Sequence, residues 1–169
     1  MNFGLSRIRR GAAVAALAVM ILSSAVTASA ADKNLPVPRF VTLRSDKVNV
    51  RTGPGDQYPI EWVFTRKEMP VEIVAEFEHW RRIRDAQGAE GWVHQRMVTG
   101  KRFVLVQGEI RELHRDARME SEVVARAEPG VIAKLLECQG PWCRVETSGI
   151  KGWLRRGEVW GVYPDEIVP

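Results

Sequence analysis

Two tryptophans, each followed two positions later by an arginine, are the residues of this chain best suited to recognition chemistry: Trp80 with Arg82, and Trp142 with Arg144. An indole face stacks on a sugar or a peptide plane, and a guanidinium fork beside it grips a carboxylate. In an extended strand, Trp80 shares a face with Arg82 and Arg84, while Ile83 points the other way. Likewise Trp142 shares a face with Arg144 and Glu146, opposite Cys143 and Val145. Burying unpaired charge is costly, so the charged face is the wet one and both rings are expected to be partly exposed. The alternative is that each ring covers a sheet edge or a contact between modules. Arg51, Tyr58 and Trp62 complete the candidate ligand-binding set. Tyr58 and Trp62 are expected to line a shallow groove with Trp80, and Arg51 to face either a ligand carboxylate or a surface ion pair. Asn49 is expected to hydrogen-bond the loop that follows it.

Catalytic chemistry finds little footing. His79, His94 and His114 are the only histidines, and none stands beside a cysteine or serine in a nucleophile motif. Asp85, Glu90 and Glu146 are carboxylates at or near turns, where charge is ordinarily solvated. Cys138 and Cys143 flank a four-residue turn between adjacent strands, close enough for a disulfide, and lack the C-x-x-C spacing of a redox pair. With no histidine or second cysteine pair at ligand spacing, no metal is expected, and no cofactor. The chain is expected to be no enzyme.

The elements that position these residues repeat. Glu78–His94, EHWRRIRDAQGAEGWVH, and Gly140–Arg155, GPWCRVETSGIKGWLR, share tryptophan, alternating basic and apolar residues, a turn with glycine, and then Gly-Trp. They lie about sixty residues apart, the range of an internal repeat. Strands are expected at Phe40–Leu43, Val48–Arg51, Trp62–Phe64, Val71–Phe77, Trp80–Asp85 and Gly91–His94, with a Gly53-Pro54-Gly55 loop after the second. Val71, Ile73, Ala75 and Phe77 alternate with Glu72 and Glu76, which argues one buried and one wet face. In the second copy, strands are expected at Glu112–His114, Val123–Ala125, Val131–Cys138, Trp142–Glu146 and Gly152–Leu154. There RDARMES replaces the glycine-rich loop, so this copy is expected mainly to buttress the first. Trp92 and Trp153, each after a glycine, are expected to close the core.

Residues 1–30 have the layout of a secretory signal peptide: Arg7, Arg9 and Arg10, an apolar run from Ala12 to Leu22, and Ala28-Ser29-Ala30 as a cleavage signal. Cleavage after Ala30 is expected, leaving a periplasmic protein with no stable membrane span. The leader holds three arginines and no acid, so 22 basic residues face 21 acidic ones in the remainder, and the net charge falls from +4 to about +1. That balance removes the electrostatic support for nucleic-acid binding.

Val48–Gly55, VNVRTGPG, then Trp80–Ile83, WRRI, then Gly91–His94, GWVH, resemble the bacterial SH3-like domain. The whole, with the second Trp/Gly-Trp phrase, resembles the tandem exported form common in alphaproteobacteria. The resemblance implies an all-β fold of two small SH3-like barrels in tandem, each of five to six strands. The first module is set at 40–102 and the second at 103–163, between a lead-in at 31–39 and a tail at 164–169. It also implies binding rather than catalysis, often towards peptidoglycan or cell-wall peptides. A protein–protein adaptor docking an envelope partner is the alternative. Rings converging on one groove favour a small ligand, and rings spread over a flat face favour a protein.

Overall fold

Short runs of β-branched and aromatic residues between turn signals become fourteen strands in the computed structural model, which describes Met1 and residues 35–169. Residues 2–34, where the leader, its cleavage site and the start of the lead-in are expected, lie outside the described residues. The first sheet holds β1 (Arg39–Leu43), β2 (Val48–Arg51), β3 (Ile60–Phe64), β4 (Pro70–Phe77), β5 (Trp80–Arg84), β6 (Glu90–His94) and β7 (Val98–Thr99). The second holds β8 (Phe103–Val106), β9 (Arg111–His114), β10 (Val123–Ala127), β11 (Ile132–Gln139), β12 (Trp142–Thr147), β13 (Ile150–Arg155) and β14 (Val159–Trp160). All pairings are antiparallel, and the spatial orders, β3-β2-β6-β5-β4-β1-β7 and β10-β9-β13-β12-β11-β8-β14, are the same order seven strands later. The chain is therefore all-β and built twice. β7, β8 and β14 are strands beyond those expected, although Phe103-Val104-Leu105-Val106 echoes Phe40-Val41-Thr42-Leu43 sixty-three positions on. Among the described residues, no helix is long and apolar enough to cross a membrane.

Each sheet wraps its own core. Val41, Leu43, Val48, Val50, Val71, Ile73, Ile83 and Val93 form the first. Val104, Val106, Leu113, Leu135, Cys143, Val145, Leu154 and Val159 are prominent in the second. The alternation expected of Val71–Phe77 holds only for half its length. The register against β5 shifts between Ile73 and Ala75, so the extra residue reverses the parity and leaves Phe77 exposed rather than on the core face. Cys138 and Cys143 are cross-strand partners on β11 and β12, and they form the expected disulfide.

The two modules meet along β1 and β4 on one side and β8, β14 and the segment after β14 on the other. The Phe40 ring packs edge-on to Trp160, with centroids 5.0 Å apart, and lies 4.6 Å from Tyr163. This contact buries Glu72, which the alternation of β4 puts on the wet face. The Tyr163 hydroxyl donates to Glu72 Oε1 at 2.7 Å, and Arg84 Nη1 donates to the other oxygen at 3.1 Å. Burial, reinforced by the carboxylate it faces, pushes the Tyr163 phenol well above the usual tyrosine range. Burial opposes ionisation of Glu166 too. There the hydrogen bonds from Arg102 and from the Tyr163 N–H outweigh it and hold the carboxyl below its ordinary value. Arg66 Nη2 donates across the modules to the Gly130 carbonyl at 2.9 Å.

Candidate functional site

The Gly-Trp pair decides which face of each sheet is decorated. A Cβ on Gly91 would stand 2.4 Å from Val50 Cγ1 and 3.2 Å from the Arg51 carbonyl, so only glycine fits that inward slot. Gly152 is equivalent, with Leu113 Cβ at 2.7 Å and the His114 carbonyl at 3.3 Å. With Gly91 and Val93 directed inward, Trp92 and His94 must point outward. Trp153 points outward in the same way, because Leu154 takes the core position. Trp92 and Trp153 are therefore not the core closures expected of them. Trp92 is half-buried on the outer face beside its partners Arg51 and Arg82; Trp153 is buried there beside His114 and Arg144.

Trp80 and Trp142 lie on this same outer face, as their parity with arginine requires, but they are not partly exposed: 9% and 8% of their surfaces are accessible. Strand parity identifies a face; it does not say what lies on it. His94, directly opposite Trp80, turns its ring edge-on at 5.5 Å. Around Trp142 the covering groups are His114, edge-on at 5.6 Å, and Arg155, whose guanidinium lies 5.8 Å from the ring centroid. Each indole has become the floor of a groove walled by other side chains, among them the buried His114 and the exposed Arg155 in the second.

The two grooves correspond position by position. Lys47, Asn49, Arg51 and Asp56 line the first, and Ile110, Glu112, His114 and Met119 stand sixty-three positions later in the second. Trp80 is matched by Trp142 sixty-two positions on; His94 and Met97 by Arg155 and Glu158, sixty-one positions on. The cavities measure about 250 Å³ and about 450 Å³. Arginine and histidine have changed places: Arg51 and His94 flank Trp80, whereas His114 and Arg155 flank Trp142. His114 Nδ1 donates to the Ser121 carbonyl at 3.1 Å, which fixes the ring.

The remaining site candidates are scattered. Trp62 is paired directly with Val50, packs on the first core with Phe64, and so lies on the face of the sheet opposite Trp80. The Tyr58 ring lies over Gly53, where an added Cβ would meet Cδ1 at 2.4 Å. Tyr58, Trp62 and Trp80 thus do not converge. Arg51, not Asn49, secures the glycine-rich loop: its Nη1 donates to the Asp56 and Tyr58 carbonyls at 3.1 and 2.7 Å, and its Nη2 pairs with Asp56 at 3.3 Å. Arg82 pairs with Glu90 at 3.0 Å and Arg144 with Glu137 at 3.2 Å. Asp85 accepts the Gln87 and Ala89 N–H groups at 3.0 and 2.9 Å and ties a turn. Arg84, gripped by Glu90, is held further towards its charged form. Lys47, His94, Met97 and Arg155 are groove residues the sequence reading passed over; the near-constant spacing between the repeats is the signal that finds them.

The family pattern described as bacterial SH3 domain matches twice, at residues 44–100 and 108–161. This chain belongs to the bacterial SH3 domain family. Its two copies carry the two Trp-floored grooves, one in each SH3 module. No curated protein matches the chain. Among solved structures, it is similar to NlpC2 from Trichomonas vaginalis, at 8% identity and a TM-score of 0.35, over 78% of this chain and 51% of that one. It is also similar to an NlpC/P60 family protein from Bacillus cereus ATCC 10987, at 14% identity and a TM-score of 0.33, over 77% and 58%. The chain spans little more than half the length of either.

Proposed function

We propose that this bacterial SH3 protein is a non-catalytic binding module that recognises peptidoglycan or cell-wall peptides through its outer-face grooves. It works in the periplasm after removal of residues 1–30 and needs no cofactor. The observation that carries this reading is the duplication of one groove. An indole floor bordered by an imidazole and a guanidinium recurs on the same face of both sheets. An aromatic floor with polar walls suits a sugar ring or a peptide plane with a charged end. Two such sites on one chain suit a polymer that repeats its epitope, because the second contact becomes intramolecular. We assign residues 40–102 and 103–163 to the two modules and read each sheet as curled into a small barrel. The test is retention of the purified protein on isolated sacculi over a range of salt, beside Trp80→Ala and Trp142→Ala.

A second reading, an adaptor for an envelope protein, draws support from the scatter of Tyr58, Trp62 and Trp80 over different faces and from β3, which ends its sheet. Ile60, Val63 and the neighbouring Tyr58 are exposed there, and an apolar edge strand suits pairing with another chain. Retention of an envelope protein in place of sacculi would favour it.

A further inference from the structure

Arg155 differs from the other cations around the second groove. Its guanidinium lies over the Trp142 ring, and among the described residues it pairs with no carboxylate and donates to no acceptor. Its neighbours are all engaged. Arg126 donates to Glu112 at 3.1 and 3.0 Å, and Arg144 to Glu137 at 3.2 Å. Arg156 donates to the Gly140, Tyr163 and Glu166 carbonyls. The acids are held as well: Glu112 by Arg126, and Glu158 by the Arg155 main-chain N–H at 2.9 Å. That last bond anchors the backbone from which the Arg155 side chain leaves, so the fork is free while its base is fixed.

The first groove has no such guanidinium: among the described residues its unpaired cation is the exposed ammonium of Lys47, a point charge without the planar fork. His94 occupies the matching position, its Nδ1 accepting the Arg96 N–H at 3.2 Å, and Arg51 is spent on the loop carbonyls and Asp56. Arg155 also stands on the border between the second groove and an adjoining cavity of about 710 Å³, walled in part by Pro141, Val162 and Pro164. A ligand held by this fork therefore meets an indole on one side and an aliphatic wall on the other.

We infer that the second groove is a carboxylate-recognition site, in which Arg155 grips the free terminal carboxylate of a short wall peptide lying against Trp142. The inference rests on the wall-binding reading for the source of the ligand, and on the geometry around Arg155 for its chemistry. A planar guanidinium meets a carboxylate through two parallel hydrogen bonds, and an arginine already laid on an indole has surrendered much of the rotamer freedom that binding would remove. The second module then has a ligand of its own and is more than a buttress.

The test uses N-acetyl-D-alanyl-D-alanine and its C-terminal amide, titrated into the purified protein with the Trp142 indole N–H followed by NMR. The acid is expected to shift that resonance and to bind about two- to fivefold more tightly than the amide, the ratio an exposed guanidinium–carboxylate pair contributes. Arg155→Gln is expected to erase the preference, and Arg155→Lys, which keeps the charge without the fork, to retain part of it. Arg155 is exposed and, among the described residues, its side chain makes no hydrogen bond or ion pair, so both variants are expected to stay folded although each thins the cover over Trp142. Equal affinity for acid and amide, a preference untouched by Arg155→Gln, or no shift with either compound overturns the inference. Sacculus retention is measured in parallel. Retention without a carboxylate preference overturns the inference and leaves the wall reading standing. An Arg155-dependent preference without retention supports the carboxylate site and defeats the wall reading.

Discussion

Replacing Tyr163 by phenylalanine removes one oxygen and tests whether the two SH3 modules stabilise each other. The hydroxyl donates at 2.7 Å to a carboxylate oxygen of Glu72, a residue only 6% exposed, while the ring remains free to pack on Phe40 at 4.6 Å. A hydrogen bond to a charged group contributes about 1.5–3 kcal/mol, and Arg84 still holds the other oxygen, so the loss should fall near the lower limit, about 1.5–2 kcal/mol. With a urea dependence of about 2 kcal/mol per molar, the unfolding midpoint should fall by roughly 0.8–1 M with an unchanged slope. The pH dependence gives an independent check. The folded phenol titrates above its unfolded value, so its contribution is fully present below about pH 10 and is lost as pH rises towards the folded value. Wild type should weaken progressively above about pH 10, and Tyr163→Phe should lack much of that decline. A midpoint shift under about 0.2 M, or an alkaline limb identical in both proteins, would refute the clamp.

Other perturbations have signs that follow from single contacts. Gly91→Ala drives a Cβ into Val50 and the Arg51 carbonyl, and should cost about 2 kcal/mol or more in urea unfolding, with the tryptophan emission of the outer face altered. Glu78 carries a positive φ of 47° at the turn where the second module has Gly140 at 52°. Glu78→Gly should therefore stabilise by about 0.5–1 kcal/mol, the left-handed penalty outweighing the added chain entropy. Reducing the Cys138–Cys143 disulfide frees a loop of only five residues' separation, so the midpoint should report a loss of about 2 kcal/mol.

Most of the strands were legible in the sequence because a period of two beside glycine and proline turns is a local signal. Phe103–Val106 escaped because its role as β8 shows only when aligned with β1, sixty-three positions earlier. The outward direction of Trp80 and Trp142 was also legible, from parity with arginine. Their cover was not, because His94, His114 and Arg155 reach the rings from other strands, and pairing register is not written in either strand alone. Trp62 shows the converse: its direct partner is Val50, so aromatic character near a loop says nothing about which face it serves. The bulge after Ile73 and the Tyr163–Glu72 contact, ninety-one positions apart in sequence, belong to tertiary structure and have no local signature.

Retention on purified sacculi, compared between wild type and the Trp80→Ala/Trp142→Ala double variant at several salt concentrations, tests the binding account most directly. Both rings lie outside the two core clusters but are buried, so far-ultraviolet circular dichroism and urea unfolding of the variant accompany the assay, and only a folded variant is scored. The account predicts saturable retention of wild type that persists at moderate salt, with the double variant close to background. Wild type that passes through unretained, or a folded variant retained as well as wild type, would contradict it.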